Sequence, residues 1–230
     1  MAKNLIIFDI DGTVTESEDH HLIAFEYALQ KMGIQDINTN WASYEHITDR
    51  HVLSVNFERQ FNEEISLSDI KICESLIMEK LNLMPSVAQK PNAATFVENL
   101  WNYDDWDIAF ATGSLYRPAI KKLEEGEIKH KPSIVISSNE IDSREGLISA
   151  AIDAAKKLNH VTHYQSILSC GDGLWDLKTA LNSGIHFLAV GTHHKTELLS
   201  AGAAHHIDDW TGITPKHLDG YITPEMATHK

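Results

Sequence analysis

The sequence predicts an α/β protein in which a doubly wound parallel sheet is interrupted, after its first strand, by an all-helical insertion. Three observations support this fold class. An apolar run at residues 5–8 stands alone near the N-terminus. Residues 15–88 then show helical periodicity only. From residue 89 onward, short apolar runs alternate with amphipathic segments, which is typical of parallel strands joined by helical crossovers.

Composition excludes several classes of function. The chain has 230 residues, a formal net charge of −14, 43% hydrophobic residues and 23% charged residues. The negative charge makes nucleic acid and anionic membrane surfaces poor partners. No apolar run approaches the ~20 residues of a membrane helix. Two separated cysteines, Cys73 and Cys170, do not form a disulfide framework, and with no room for a signal peptide before the first strand we expect a cytoplasmic protein.

The first strand ends in two acids. Leu5-Ile6-Ile7-Phe8 runs directly into Asp9-Ile10-Asp11-Gly12-Thr13. A short run rich in Ile and Phe is typical of a strand buried on both faces. Carboxylates at the end of such a strand are costly unless they are paired or bind a metal. This stretch therefore predicts a functional site.

The helical insertion is predicted to form a separate domain. Apolar residues recur at helical spacing between residues 22 and 32, and the helical pattern continues over residues 41–45, 47–61 and 66–83. Ser66, with Asp69 three residues later, resembles an N-terminal capping arrangement. Pro85 and Pro91 bracket a linker. We therefore expect a core domain of residues 1–14 and 89–230 and a helical domain of residues 15–88.

Five further strands complete the predicted sheet. They are assigned to residues 107–111, 133–137, 165–170, 186–190 and 204–207, with helices between them. Ser143 is a predicted N-cap of the helix before the fourth strand. The tail after Trp210 is left without an assignment.

Polar, glycine-containing loops follow three of these strands: residues 9–13, 112–114 and 171–173. Ligand sites of open α/β sheets lie outside the carboxyl ends of the strands, so the three loops are expected to share one rim. Asp9, Asp11 and Asp172 offer the hard oxygen ligands that Mg²⁺ takes. Thr112 and the helix N-terminus behind it suit a phosphate oxygen. The residues thus indicate a Mg²⁺-dependent site for a phosphorylated ligand.

These loops resemble three motifs of the haloacid dehalogenase superfamily of phosphohydrolases. The matching segments are Asp9-x-Asp11-Gly12-Thr13, the strand that ends in Thr112, and Gly171-Asp172-x-x-x-Asp176. Their order and separation match across nearly all of residues 4–210, and the helical insertion resembles that family's cap, as in its phosphoglycolate phosphatase and β-phosphoglucomutase branch. The resemblance implies a Rossmann-like core with a helical cap after the first strand.

The resemblance implies roles for the acids. Asp9 would be the nucleophile that forms an aspartyl-phosphate. Asp11, on the same side of the strand, would be the general acid and base, and its backbone carbonyl would bind Mg²⁺. Asp172 would be a direct metal ligand, and Asp176 would position a metal-bound water or a cationic side chain.

Substrate contacts are also implied. Thr112, Gly113 and Ser114 would hold the transferring phosphoryl group. In the helical domain, Thr48 and Arg50 resemble a cap segment that contacts substrate in phosphoglucomutase-like relatives. An exposed capping turn is the alternative for that segment. His21 is interpreted as a polar surface histidine.

One position departs from the family pattern. A lysine is usual at the start of the helix before the Gly-Asp motif, and here that position is Arg144. Arginine can pair with both nucleophile and phosphate, but its planar fork differs from an ammonium. Lys131 is not taken as this lysine, because it precedes the third strand and not the helix before the Gly-Asp motif. Lys121 and Lys122 are expected to point outward from their helix.

These features predict a Mg²⁺-dependent phosphatase that hydrolyses a small soluble phosphomonoester metabolite. One alternative is a phosphomutase with the same aspartyl-phosphate, although Thr13 replaces the aliphatic residue usual in mutases. A carbon–halogen hydrolase is less favoured, because such relatives usually lack an acid at the Asp11 position. The other alternative is a catalytically weak protein that binds a phosphorylated ligand, suggested by Arg144 in place of lysine.

Overall fold

The computed structural model describes residues 3–222 and contains, within that range, six strands in one sheet. The strands are β1 (Asn4–Phe8), β2 (Trp106–Ala111), β3 (Val135–Ile136), β4 (Ile167–Gly171), β5 (His186–Val190) and β6 (His205–Ile207). All adjacent pairs are parallel, and the spatial order is β3-β2-β1-β4-β5-β6. The chain therefore winds outward in both directions from the centre, as predicted for a doubly wound sheet.

The helices of residues 3–222 fall into an early group and a group that alternates with the strands. The early group is α1 (Glu18–Lys31), α2 (Asp49–Phe61) and α3 (Leu67–Leu81). The second group is α4 (Ala93–Trp101), α5 (Tyr116–Glu125), α6 (Arg144–Asn159), α7 (Leu174–Ser183), α8 (Lys195–Ser200) and α9 (Leu218–Tyr221).

The second group covers both faces of the sheet. Alternate residues of β1 point to opposite faces: Ile6 and Phe8 pack with residues of α4 and α5, whereas Leu5 and Ile7 pack with residues of α6. Helices α7 and α8 bury the second face of β5. Burial on both sides explains why the central strands are continuous apolar runs.

Helices α1 to α3 pack around a second hydrophobic cluster, which includes Phe25, Leu53 and Ile77 and also Leu115 from the loop before α5. They follow β1 in the chain and precede α4. The two connections to the sheet lie side by side: Glu16 N–H donates to the Ala88 carbonyl at 2.8 Å, and Lys90 N–H donates to the Val14 carbonyl at 2.9 Å. We call residues 15–88 the helical segment.

Several local predictions are confirmed. Ser66 caps α3, and its side chain and that of Asp69 form a capping box. The Ser143 hydroxyl accepts the Gly146 N–H at 3.1 Å and caps α6.

The third strand was predicted too long. It is confined to Val135–Ile136, because Pro132–Ile134 forms a 3₁₀ turn. The short strand β3 lies at the sheet edge, where few pairing hydrogen bonds are available to extend it. Residues 1–2 and 223–230 of the predicted core domain lie outside the described range. Within residues 3–222, none of the helices has the length and hydropathy to cross a membrane.

Candidate active site

The register of the sheet brings the three predicted loops to one rim. Phe8 pairs with Phe110 on β2 and with Cys170 on β4. Asp9, which follows Phe8, donates its backbone N–H to the Cys170 carbonyl at 2.9 Å. The residues after β1, β2 and β4 therefore meet at the centre of the sheet, where the winding direction changes.

Three buried carboxylates form a cluster that could hold a metal ion. One oxygen from each of Asp9, Asp172 and Asp176 lies within 4.8 Å of the others. Asp9 Oδ1 and Asp172 Oδ2 are buried and accept no hydrogen bond from the described residues. Orphaned anionic oxygens are costly in a protein interior, and an all-carboxylate donor set suits a hard divalent cation. The residues present therefore fit the metal that the sequence predicts.

The electrostatics of the cluster favour the same conclusion. Burial raises the pKa of Asp9, and nearby Asp176 raises it further, while Arg144 opposes the shift. Burial also raises the pKa of Asp172, with Glu18 and Asp176 adding to the effect. Carboxyl groups with raised pKa values gain stability from a neighbouring cation.

Gly12 makes the close approach of Asp172 possible. Its φ is +72°, and a Cβ built on it would lie 2.1 Å from Asp172 Oδ2 and 3.0 Å from Glu18 Cδ. Any larger residue would therefore displace the carboxylate from the cluster, and it would also be strained at this φ.

Arg144, the first residue of α6, reaches the cluster. Its Nη1 lies 3.0 Å from Asp176 Oδ1 and 3.6 Å from Asp9 Oδ1. Its Nε donates to the Ile47 carbonyl in the helical segment at 2.8 Å. The guanidinium thus contacts the predicted nucleophile and also connects the helical segment to the sheet.

Asp176 uses both carboxylate oxygens within the protein. Oδ1 pairs with Arg144, and Oδ2 accepts the Gly173 N–H at 3.1 Å. These contacts fix the Gly173 turn and the guanidinium. Asp176 is accordingly placed to hold the Arg144 guanidinium and the loop at Gly173 in position beside Asp9 and Asp172.

The carboxylate of Asp11 is held apart from this cluster by a lysine that sequence reasoning misplaced. Lys122 was predicted to point outward, but its side chain is fully buried. Its Nζ donates to Asp11 Oδ1 and Oδ2 at 2.7 and 2.6 Å. Burial alone would raise the pKa of Asp11, but the Lys122 ammonium, with His21 and Ser17, holds it well below its usual range.

A sequence signal for Lys122 existed. Pro118, Ala119, Lys122 and Leu123 are the buried residues of α5. Lys122 therefore occupies a place in the apolar stripe, three residues after Ala119, where an outward-facing charge is not expected. Its neighbour Lys121 is partly exposed, in closer agreement with the predicted outward direction, and pairs with Glu125 at 2.6 Å.

The loop after β2 contributes Thr112, Gly113 and Ser114. The Thr112 hydroxyl oxygen accepts the Ser114 N–H at 3.1 Å, which leaves its proton available to a ligand. A Cβ on Gly113 would lie 2.7 Å from the Ile47 carbonyl, so only glycine fits there. The Ser114 hydroxyl donates to Asp11 Oδ2 at 3.0 Å and accepts from Lys122 Nζ at 2.7 Å, so it contacts the acid instead of being free for a phosphate.

The two predicted substrate contacts of the helical segment differ in outcome. Thr48 lines the cavity, but its hydroxyl donates to the Asp142 carbonyl at 2.8 Å. The prediction for Arg50 needs correction, because Arg50 does not line the cavity. Its Nη1 donates to the Asn139 carbonyl at 2.7 Å, and its Nε lies 2.8 Å from Asp142 Oδ1. An acid and a carbonyl in the loop after β3 satisfy this guanidinium away from the site.

His21 and Asp49 form a further pair that the sequence did not reveal. His21 Nε2 lies 2.8 Å from Asp49 Oδ1, and the histidine ring is close to Lys122 and Ser114. Asp49 Oδ2 also accepts the Leu115 N–H at 2.9 Å. His21, expected at the surface, is thus part of the site; the residues are 28 positions apart and no local pattern links them.

One cavity of about 730 Å³ opens onto these groups. Its lining includes aromatic and histidine side chains: Phe25, Trp41, Trp175, His20, His193 and His194. The same cavity is lined by Asp9, Asp11, Thr112, Arg144 and Asp172. The site therefore combines the acidic rim with aromatic and histidine side chains in one cavity.

Solved structures with the same fold come from several bacteria. A hydrolase from Pseudomonas syringae superimposes with a TM-score of 0.69 at 18% identity, covering 97% of this chain and 100% of that one. A putative β-phosphoglucomutase from Bacteroides vulgatus superimposes with a TM-score of 0.68 at 15% identity, covering 97% of this chain and 91% of that one. CbbY from Rhodobacter sphaeroides, solved in complex with phosphate, has a TM-score of 0.65 at 17% identity, covering 95% of this chain and 100% of that one.

At these identities, the structural likeness shows the fold alone. No curated protein has significant sequence similarity to this chain. The model of the family described as haloacid dehalogenase-like hydrolase matches residues 6–190, which include all three rim loops. The family resemblance seen in the motifs is thereby confirmed, and this chain belongs to the haloacid dehalogenase-like hydrolases.

Proposed function

We propose that this hydrolase is a Mg²⁺-dependent phosphatase that acts on a small phosphomonoester through an aspartyl-phosphate. The observation on which the proposal rests is the setting of Asp9. It is a buried carboxylate that lines the cavity, and its Oδ1 accepts no hydrogen bond from the described residues and lies 3.6 Å from Arg144 Nη1. That setting suits a nucleophile that must meet an anionic phosphoryl group.

In this proposal the cation is held by Asp9, Asp172 and the backbone carbonyl of Asp11. When bound, Mg²⁺ would supply positive charge that offsets the repulsion between carboxylate and phosphate. The two orphaned oxygens of Asp9 and Asp172 support this assignment.

The other steps of the reaction are assigned to side chains and backbone groups of the protein. Asp9 attacks phosphorus while the Thr112 hydroxyl and the Gly113 amide hold the phosphoryl oxygens, and Arg144 neutralises charge as it builds up. For this step the Asp11 carboxylate, which Lys122 holds ionised in this structure, must first take up a proton, and it then donates that proton to the leaving oxygen as the P–O bond breaks. It then accepts a proton from the water that attacks the aspartyl-phosphate, which restores Asp9 and releases phosphate.

We also propose that the helical segment, residues 15–88, acts as the cap over the site. The segment supplies one wall of the cavity, including Phe25 and Trp41, and contacts the rim through Ile47 and Asp49. A cap excludes bulk water during the reaction and opens for product release. Since the cavity has a volume of about 730 Å³ and is partly lined by aromatic side chains, the leaving group is expected to be a small metabolite that fits within it.

The proposal is tested by phosphate release from a panel of phosphorylated sugars, nucleotides and small phosphoacids, with Mg²⁺ and with EDTA. We expect turnover only with Mg²⁺, and loss of at least about 10³-fold in kcat for Asp9→Asn, since the amide is not a nucleophile. Asp153→Asn, an exposed change, is the control and should leave activity unchanged. Full activity in Asp9→Asn would refute the nucleophile assignment. A requirement for a sugar bisphosphate would favour the phosphomutase instead.

A further inference from the structure

Permanent positive charge is scarce in the cavity. Among the described residues that line it, only Arg144 and Lys90 carry such a charge. Arg144 is held at the acidic rim, where its Nη1 lies 3.0 Å from Asp176 Oδ1 and 3.6 Å from Asp9 Oδ1. Lys90 is therefore the cation that remains for any part of a ligand beyond the phosphoryl group.

Glu16 pairs with this remaining cation. Lys90 Nζ donates to Glu16 Oε2 at 3.0 Å, and only 13% of the Lys90 side chain is exposed. The backbone keeps the two residues side by side, because Glu16 N–H donates to the Ala88 carbonyl and Lys90 N–H donates to the Val14 carbonyl. An ion pair with one largely buried member is screened less than a fully exposed pair. The charge of Lys90 is thus offset by Glu16 before any ligand enters.

The rest of the lining is also unsuited to a second anion. Glu18 and Asp19 line the same cavity and add negative charge. Phe25, Trp41 and Trp175 supply aromatic surface, which suits an uncharged carbon skeleton and, over the ring faces, a cation. An anionic group that leaves water for this cavity therefore loses hydration without gaining a free counter-charge.

We propose that Glu16 is a specificity-determining residue that limits the substrate to phosphomonoesters whose leaving group carries no second anionic group. The proposal rests on the proposed phosphatase function and adds the substrate class to it. Uncharged and cationic leaving groups fit the cavity, whereas bisphosphates and phosphorylated acids are disfavoured. Glu16 acts through Lys90: with the carboxylate present the ammonium is paired, and without it the ammonium is free to bind an anion.

The test uses three aryl phosphates of nearly equal size that differ in charge: p-carboxyphenyl, p-(hydroxymethyl)phenyl and p-(aminomethyl)phenyl phosphate. The measured quantity is kcat/KM with Mg²⁺ at pH 8, where histidine charge contributes little because the ordinary pKa of histidine is about 6.5. For the wild type we expect the carboxyl ester to be the poorest substrate by at least about tenfold, the size of one unfavourable charge contact in a partly solvated site.

Glu16→Gln keeps the shape of the side chain and frees Lys90. We expect kcat/KM to rise about tenfold on the carboxyl ester, to fall on the aminomethyl ester, and to change less than about twofold on the hydroxymethyl ester. Each ester is compared between variants, so intrinsic differences among the three phenols cancel. Adding Lys90→Met to Glu16→Gln should abolish the gain.

Glu98→Gln is the matched control and should leave all three values unchanged. Glu98 also pairs with a lysine, Lys129, at 2.8 Å, but neither residue lines the cavity. The control therefore makes the same change of charge in an ion pair that a substrate does not meet.

A wild type that prefers the carboxyl ester would overturn the specificity role and leave the proposed phosphatase intact. The same conclusion would follow from a Glu16→Gln variant with equal changes, or none, on all three esters. A gain on the carboxyl ester that persists after Lys90→Met would also overturn the role, because Lys90 would then not be the cation that meets the added charge. A wild type inert toward all three esters would overturn the proposed function and this inference together.

Discussion

Two carboxylates two residues apart have opposite electrostatic settings. Asp9 has an orphaned oxygen and a pKa raised by burial, with Arg144 3.6 Å away. The Lys122 ammonium contacts both oxygens of Asp11 and lowers its pKa despite its burial. Different settings for neighbouring acids are the usual basis for dividing roles between them. A lysine does reach the site, but it comes from α5 and contacts the second acid.

Arg144 is predicted to be needed for turnover. Arg144→Ala leaves Asp9 and Asp176 without their cation, and we expect kcat/KM to fall about 10²- to 10³-fold. Arg144→Lys should lose less, because an ammonium can still reach one carboxylate but cannot also donate to the Ile47 carbonyl. Steady-state kinetics measure both variants, and the exposed Arg117→Ala is the control. Unchanged activity in Arg144→Ala would refute the role, and an inert wild type activated by Arg144→Lys would favour the ligand-binding alternative.

At the residue scale, the sequence predicted most of the residues that meet at the sheet rim. Asp9, Thr112, Arg144 and Asp172 were predictable there because each follows a strand or opens a helix at that rim, where position alone brings residues together. Lys122 and His21 lie within helices, and their direction depends on how those helices pack. Arg50 was misassigned for the same reason, since the acid that attracts it, Asp142, is distant in sequence.

At the element scale, the first turn of α2 joins the helical segment to the sheet. Asp49 N–H donates to the Gly113 carbonyl at 2.8 Å, and its carboxylate accepts the Leu115 N–H and contacts His21. Thr48 and Arg50 add contacts to the loop after β3. The N-terminus of α2 is therefore both a helix start and the contact by which the helical segment is oriented.

Asp49→Ala is predicted to destabilise the fold more than loss of an ordinary helix cap. The change leaves the buried Leu115 N–H without an acceptor, so we expect the free energy of unfolding to fall by about 2–3 kcal/mol. Asp69→Ala is the matched control, because Asp69 also lies in the first turn of a helix of the same segment but is only partly buried and accepts from Ser66 at the start of its own helix; its loss should cost about 1 kcal/mol. Urea denaturation measures both. Equal losses would show that the α2 contact adds nothing beyond capping.

Element types were predictable from the sequence, whereas their ends were less so. The apolar period and the Ser66 and Ser143 caps are local signals, and the structure has those elements. The length of β3 is instead set by its position at the edge of the sheet and by the Pro132–Ile134 turn. The spacing of apolar residues at 133–137 indicates neither of these.

At the scale of the whole molecule, the acidic cluster connects stability to pH and metal. Burial and neighbouring acids raise the pKa values of Asp9 and Asp172 above the usual value of about 4. A carboxyl group with a raised pKa in the folded state stabilises the fold at low pH, and this contribution is lost as the pH rises through the folded-state pKa. A bound cation would replace the protons and reverse the loss.

We therefore predict that the midpoint of thermal unfolding in EDTA falls between pH 5 and pH 7.5, and that the increase on adding Mg²⁺ is larger at pH 7.5. At a Mg²⁺ concentration a hundred times the dissociation constant, binding contributes about 2.7 kcal/mol, which corresponds to roughly 5–10 °C for a domain of this size.

Asp172→Asn is the informative variant, because it removes a costly carboxylate together with a cation ligand. In EDTA at pH 7.5 it should be at least as stable as the wild type, and Mg²⁺ should shift its midpoint by less than about 2 °C. A wild-type Mg²⁺ shift that is equal at both pH values, or that persists in Asp172→Asn, would place the cation away from the Asp9 and Asp172 cluster.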